Sequence, residues 1–177
     1  MPHRKSEIAY ICLGSNQGDT VNNLDKAAAA VAALSGVCVE AGSSVYRTEP
    51  QENKDQEWFA NQVIRCSCQG YSAEELMTAL LSCEAELGRV RDVSTPAARF
   101  GPRVIDIDLL LYGATQSDSE LITLPHPRMW QRAFVLVPLL DVFVEPQEQG
   151  DGVIIRADVL DSLERLEFRV EGDCIWQ

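Results

Sequence analysis

Apolar residues alternate, cluster or recur every third or fourth position along this chain, and each habit marks an element. Glu7–Leu13 is a short apolar run closed by Gly14-Ser15-Asn16-Gln17-Gly18-Asp19, which reads as a first strand and a turn. Val21, Leu24, Ala28, Val31 and Leu34 then share one face of a helix that stops near Gly36. The glycine-bearing turn before that helix lacks both the lysine and spacing of a P-loop and the pattern G-x-G-x-x-G, so it is read as a cap and not as a phosphate cradle. Val37–Tyr46 sets Val37, Val39 and Ala41 against Cys38, Glu40 and Gly42, a half-buried strand. The polar stretch Arg47–Glu57 predicts a loop, and Trp58–Cys68 a strand with Phe59, Asn61 and Val63 on one face. Ser72-Ala73-Glu74-Glu75 is a capping box, opening a second helix with the stripe Leu76, Leu80, Cys83 and Leu87 and an end at Gly88.

The next strand lies between Gly101-Pro102 and Gly113. Alternation puts Ile105, Ile107, Leu109 and Leu111 on one wholly apolar face and Val104, Asp106, Asp108, Leu110 and Tyr112 on the other. The order strand, helix, strand, strand, helix, strand is that of a ferredoxin-like α+β fold. It implies a mainly antiparallel sheet with helices on one face and the other face left for a site. Beyond Gly113 the pattern predicts a polar loop over Ala114–Glu120 and a short buried turn of helix over Val135–Val142. Val153–Gln177 reads as a peripheral helix around Asp158–Leu166 with an edge strand at Glu167–Val170. No repeat or linker interrupts the chain, and 177 residues suit one domain, 1–177, with a C-terminal extension after residue 142.

Charge and cysteines narrow the setting. A formal net charge of −12 argues against general nucleic-acid binding and against an anionic membrane surface. Six cysteines fall mostly inside apolar segments without a C-x-x-C, so free thiols in a reducing cytoplasm are expected. The apolar run after the basic N-terminus is too short for a signal peptide, and no run reaches membrane-spanning length. The chain is expected to be a cytoplasmic monomer acting on small molecules.

Asp106 and Asp108 carry the chemistry. On one strand face they stand roughly 6.6 Å apart at Cα, and two like charges there cost stability unless a cation lies between them. Mg²⁺, which takes one or two carboxylates plus substrate phosphates, fits that need; two solvated aspartates on an exposed strand are the plain alternative. From Arg89 to Arg103 the acidic chain has four arginines, Arg89, Arg91, Arg99 and Arg103, against one acid. Arginine without lysine suits bidentate phosphate binding, and a solvated loop is the alternative. Asp92–Phe100 is small and polar with almost no apolar anchor, so a bound phosphate chain is its main incentive to order. A second window, Arg128–Phe134, has cations and no acid. His126 beside it is either a hydrogen-bonded structural residue or a nucleotide contact.

Arg99-Phe100-Gly101-Pro102-Arg103-x-x-Asp106-Ile107-Asp108-Leu109-Leu110 closely resembles the signature of the 6-hydroxymethyl-7,8-dihydropterin pyrophosphokinase family of the folate pathway. Leu13-Gly14-Ser15-Asn16, Ser44-Val45-Tyr46-Arg47-Thr48, Asp55-Gln56 with Asn61, Gly88-Arg89-Val90-Arg91 and Pro125-His126-Pro127-Arg128-Met129 with Arg132 and Phe134 follow in the family's order, over roughly residues 8–142. The resemblance implies transfer of the pyrophosphoryl group of ATP to the pterin hydroxymethyl group, giving AMP, with two Mg²⁺ held by Asp106 and Asp108. It implies that Arg89, Arg91, Arg99 and Arg103 serve the phosphates with Arg132 and His126 nearby, and that Glu84, Leu109 and Thr123 lie on the nucleotide side. Phe59 and Phe134 match the rings that sandwich the pterin; Asn61 and the backbone of Thr48, Glu49 and Pro50 match its hydrogen-bond partners. The chain departs from the family's shorter form in extra residues around Val93–Ala98, in Phe100 for tryptophan, Phe59 for tyrosine, Leu121 for arginine, and Trp130-Gln131 for a more polar pair. Two other classes share features with it: a D-x-D transferase acting on sugar nucleotides, and a non-catalytic ferredoxin-like binding module.

Overall fold

The computed structural model describes residues 5–52, 54–90 and 102–177. Arg91, Arg99 and the segment 92–100 therefore lie outside the described residues.

Strand β1 (Glu7–Ser15) runs into helix α1 (Thr20–Ala32), whose N-cap Asp19 accepts a hydrogen bond from the backbone N–H of Asn22. The turn is thus a helix cap, as read from the sequence. The buried stripe of α1 is Leu24, Ala27 and Val31; Val21, expected on it, is 51% exposed in the first turn. Strands β2 (Val37–Gly42) and β3 (Tyr46–Thr48) replace the single strand expected over 37–46, and both pair antiparallel with β4 (Phe59–Cys68). Helix α2 (Ala73–Glu86) starts at the expected capping box, in which Ser72 and Glu75 bond each other's backbone. Strand β5 (Asp106–Tyr112) pairs antiparallel with β1.

Apolar periodicity explains where the core sits. Ala9, Ile11 and Leu13 of β1 and Ile64 and Cys66 of β4 point to the face covered by α1 and α2. Tyr10, Cys12 and Val63, one position out of phase, point to the other face. That second face is shared: α3 (Ala133–Val142) and α4 (Arg156–Glu164) build another core on part of it, and the candidate site occupies the rest. Helix α3 is ten residues long, more than the short turn expected.

Alternation fails at two β-bulges. Against β1 the register runs Tyr10↔Leu111 and then Ile11↔Leu109, so Leu110 is the extra residue in β5. Leu110 and Leu111 consequently both join the core under α3, and Tyr112 turns to the helix side, where its hydroxyl donates to the carbonyl of Tyr71 at 2.9 Å. The expected faces hold up to Leu110 and exchange after it, at Leu111 and Tyr112. A similar shift between Val39 and Ala41 sends Val39 and Ala41 to opposite cores.

The C-terminal segment carries the helix expected there, α4, and an edge strand overlapping the one expected at Glu167–Val170, and with a second strand it extends the main sheet. Strand β6 (Ser117–Asp118), within the stretch read as loop, forms a small ribbon with β7 (Thr123–Leu124), which lies just after it. Farther on, β8 (Arg169–Glu171) pairs with β9 (Cys174–Trp176), and β9 pairs parallel with β3. The sheet order is β5-β1-β4-β3-β9-β8, with β2 also on β4. Among the described residues no helix is long and apolar enough to cross a membrane.

Candidate active site

Sheet register brings the sequence-predicted residues together. Gly14 of β1 lies opposite Asp106 of β5 on one side and Asn61 of β4 on the other; one step along, Cys12 lies between Asp108 and Val63. Asp106 and Asn61 therefore face the same way two strands apart, about 9.6 Å at the usual inter-strand spacing. Between them is a glycine, where an added Cβ would meet Asn61 Oδ1 at 3.0 Å and Asp106 Cβ at 4.0 Å. The row is a floor with acid at one end, an amide at the other and a gap between.

At the acid end, Arg103 pairs with Asp106 through Nη1, and Arg89 Nη2 lies 3.4 Å from the second carboxylate oxygen. Asp108 differs: burial pushes its carboxyl up to about 7, the Asp106 and Glu84 carboxylates add to the rise, and Arg132 and Arg103 oppose it. Asp106 is thus neutralised by arginine while Asp108 is held where charge is costly. Among the described residues no group of three or more His, Cys, Asp or Glu could hold a metal ion. Two carboxylates with arginines beside them fit a divalent ion that takes its remaining ligands from phosphate and water, not one caged by protein.

At the other end, Asn61 is 5% exposed and its Nδ2 donates to Thr48 Oγ1 at 2.7 Å. Phe59 and Phe134 both line the pocket, half-buried, each with an arginine near its ring: Arg103 at 5.8 Å from Phe59 and Arg132 at 5.5 Å from Phe134. Thr48, Glu49 and His126 line the same pocket, and Pro50 is buried next to it. His126 answers to both of its readings. Its Nδ1 accepts from the Arg128 N–H at 3.3 Å, a local structural bond, yet the ring lines the pocket. Burial and the neighbouring Arg132 and Arg128 bring its pKa down to about 4, so the imidazole is neutral at pH 7.

Three residues expected on the nucleotide side are outside the pocket lining. Glu84 is 1% exposed and accepts the Ile107 N–H at 3.1 Å, bracing β5 from beneath. Leu109 is packed in the helix-side core, and Thr123 is exposed on β7. Conversely, Cys12 and Gln51 line the pocket without having been singled out, as do Gly14 and Gln56, which fall in the stretches that carry the resemblance but were given no role. Cys12 emerges only from cross-strand register, which has no signal in one sequence. The largest role left unread is that of Asn16, 3% exposed. Its Oδ1 accepts from the Arg103 N–H at 2.7 Å, its own N–H donates to the Arg103 carbonyl at 3.0 Å, and its Nδ2 donates to Gln56 Oε1 at 3.0 Å. Asn16 ties the arginine end of the pocket to the loop before Phe59.

Comparison with known proteins gives a consistent likeness. Residues 10–144 match the family described as 7,8-dihydro-6-hydroxymethylpterin-pyrophosphokinase (HPPK). The chain is 44% identical over 134 residues to a 2-amino-4-hydroxy-6-hydroxymethyldihydropteridine pyrophosphokinase of Methylorubrum extorquens, covering 76% of this chain and 81% of that one. It is 37% identical over 145 residues to the enzyme of the same name from Bacillus subtilis, covering 82% and 83%. In fold it resembles wild-type Plasmodium falciparum HPPK-DHPS solved with pteroate, with a TM-score of 0.60 at 12% identity over 99% of this chain; it spans 48% of that longer chain.

Proposed function

The chain belongs to the 7,8-dihydro-6-hydroxymethylpterin-pyrophosphokinase family, and on that premise we propose that Asp106, Asp108 and the arginines around them hold the triphosphate of ATP while Phe59, Asn61 and Phe134 hold the pterin. The chain is a pyrophosphokinase of folate biosynthesis. It moves the pyrophosphoryl group of ATP onto 6-hydroxymethyl-7,8-dihydropterin. The hydroxymethyl oxygen bonds to the β-phosphorus, the bond from that phosphorus to the AMP oxygen breaks, and the hydroxyl proton is lost.

One observation carries the assignment: the Asp106–Gly14–Asn61 row of the sheet. It sets the carboxylate end, proposed for phosphate, and the amide end, proposed for the pterin, on one floor with a glycine gap between, an arrangement that supports in-line transfer between two bound substrates. Asp106 and Asp108 would hold Mg²⁺, two ions on the family pattern, and the costly charge on Asp108 is a reason for a cation to bind there. When bound, these ions would supply positive charge to the phosphate oxygens and to the leaving AMP. Arg103 and Arg89, already at Asp106, can turn a second edge of their guanidinium groups to phosphate, and Arg132 and neutral His126 offer further N–H donors in the same pocket. Glu84 would act through the β5 backbone that it braces, and Leu109 and Thr123 would act on the nucleotide side. Arg91 and Arg99 are proposed for the phosphates on the resemblance alone. Phe59 and Phe134 would stack on the pterin; Asn61 and the backbone of Thr48, Glu49 and Pro50 would pair with its polar edge.

Equilibrium binding of single variants tests this division. Phe134→Ala should weaken the pterin and leave a non-hydrolysable Mg²⁺–ATP analogue near its wild-type affinity, and Arg103→Ala should do the reverse. Equal effects of both variants on both ligands would contradict two separate ends.

A further inference from the structure

Residues 145–177 lie beyond the stretch that matches the family, yet the end of β9 touches both walls of the pocket. On one wall, Ile175 is in register with Thr48, whose hydroxyl accepts from Asn61. Next to it the Trp176 ring meets Trp58 edge-on with centroids 4.6 Å apart, and Trp58 directly precedes Phe59. The guanidinium of Arg169 lies 4.8 Å from the Trp176 ring on the neighbouring strand, backing it from β8.

On the other wall, Gln177 makes two side-chain bonds. Its Oε1 accepts the Ala133 N–H at 2.7 Å, and its Nε2 donates to the Gln131 carbonyl at 2.7 Å. Arg132 lies between the two bonded residues and Phe134 comes next. Helix α3 gets no side-chain cap from its own N-cap residue, Arg132, so Gln177 satisfies a first-turn N–H from outside the helix. Its two bonds fix the backbone on either side of Arg132 and with it the direction in which Phe134 leaves the helix.

We infer that Trp176 and Gln177 are positioning residues that fix the gap between the Phe59 and Phe134 walls, so that the C-terminal strand sets the width of the slot for a flat aromatic substrate. The inference rests on the reading that these two rings hold the pterin. It assigns Trp176 and Gln177 no contact with substrate. A short aromatic stem such as Phe134 must follow its own backbone, whereas the long side chain of Arg132 can re-aim over a small shift. Loosening the Gln177 clamp therefore affects the pterin more than the nucleotide.

The experiment titrates 6-hydroxymethyl-7,8-dihydropterin into the full chain with a saturating Mg²⁺–ATP analogue, and titrates the analogue separately. Gln177→Leu keeps the size but removes both bonds and should raise the pterin Kd by about three- to tenfold, the scale of a lost net hydrogen bond, with a smaller change for the analogue. Gln177→Glu keeps the acceptor for the Ala133 N–H but loses the donor and sets a carboxylate oxygen against the Gln131 carbonyl, so it should weaken the pterin too. Trp176→Leu should weaken the pterin as well. Phe134→Ala is measured alongside. If it leaves pterin affinity intact, the slot reading itself fails. If it weakens the pterin while Gln177→Leu leaves both affinities at wild-type values, or lowers only the thermal midpoint, the slot stands and the clamp is overturned.

Discussion

Asp108 offers a perturbation whose size follows from the structure. Burial, Asp106 and Glu84 raise its carboxyl from 3.8 to about 7, so the folded chain keeps a proton there that the unfolded chain has lost. The folded-state pKa of this acid is raised, so stability declines as pH rises from about 4 to about 7, and the full penalty is present above that. At about 1.4 kcal/mol per pKa unit, three units give a ceiling of roughly 4 kcal/mol, of which about 2–3 kcal/mol develops between pH 5 and pH 8. Asp108→Asn removes the titration. His126 titrates in the opposite sense: its pKa is brought down to about 4, so stability declines as pH falls from 6.5 toward 4. Subtracting the variant's pH profile from the wild type's cancels that contribution. The assay is urea unfolding of metal-free wild type and Asp108→Asn at several pH values from 5 to 8. The wild type should lose about 2 kcal/mol relative to the variant over this range, after allowing for partial solvation of the carboxylate. Saturating Mg²⁺ at pH 8 should then stabilise the wild type more than the variant. Parallel pH profiles for the two proteins would refute the reasoning.

Other substitutions test other parts of the floor. Asp106→Asn and Asp108→Asn should each lower turnover by several orders of magnitude at saturating Mg²⁺, as stopped assays would register; near-normal rates would exclude that carboxylate as an essential ligand. Asn61→Ala should cost about 1–3 kcal/mol of pterin binding by calorimetry, because it leaves polar edges of the ligand unpaired. Gly14→Ala should also weaken the pterin, since its Cβ would crowd Asn61 Oδ1 at 3.0 Å; unchanged affinity would show that the gap has room to spare. Arg99→Ala, argued from the sequence pattern alone, should lower kcat by about 10²-fold with little change in nucleotide Kd, as loss of a donor to transition-state charge does.

Local signals are legible in the sequence, and contacts between distant segments are not. Asp19 and the Ser72/Glu75 box mark helix starts with side-chain chemistry that acts within three residues, so both were readable. Asp106 and Asp108 were readable as a same-face pair because strand alternation is also local. The bulge at Leu110 was not, since the extra residue is defined by β1 opposite and leaves the apolar run of β5 looking regular. Asn16 falls in a stretch that carries the resemblance, but its bracing role has no local signal for the same reason: its partners, Arg103 and Gln56, are 87 and 40 residues away. At the C-terminal end β8 is legible as an edge strand, but β9 is not: its surroundings are polar and exposed, and only Ile175, 1% exposed, reveals a sheet partner, which is β3.

The central claim is that one floor joins a phosphate site to a pterin site for pyrophosphoryl transfer, and the products test it most directly. Purified protein incubated with ATP, Mg²⁺ and 6-hydroxymethyl-7,8-dihydropterin should release AMP and a pterin diphosphate in equal amounts, resolved by anion-exchange chromatography. Accumulation of ADP, or of free pyrophosphate with the pterin unchanged, would contradict it.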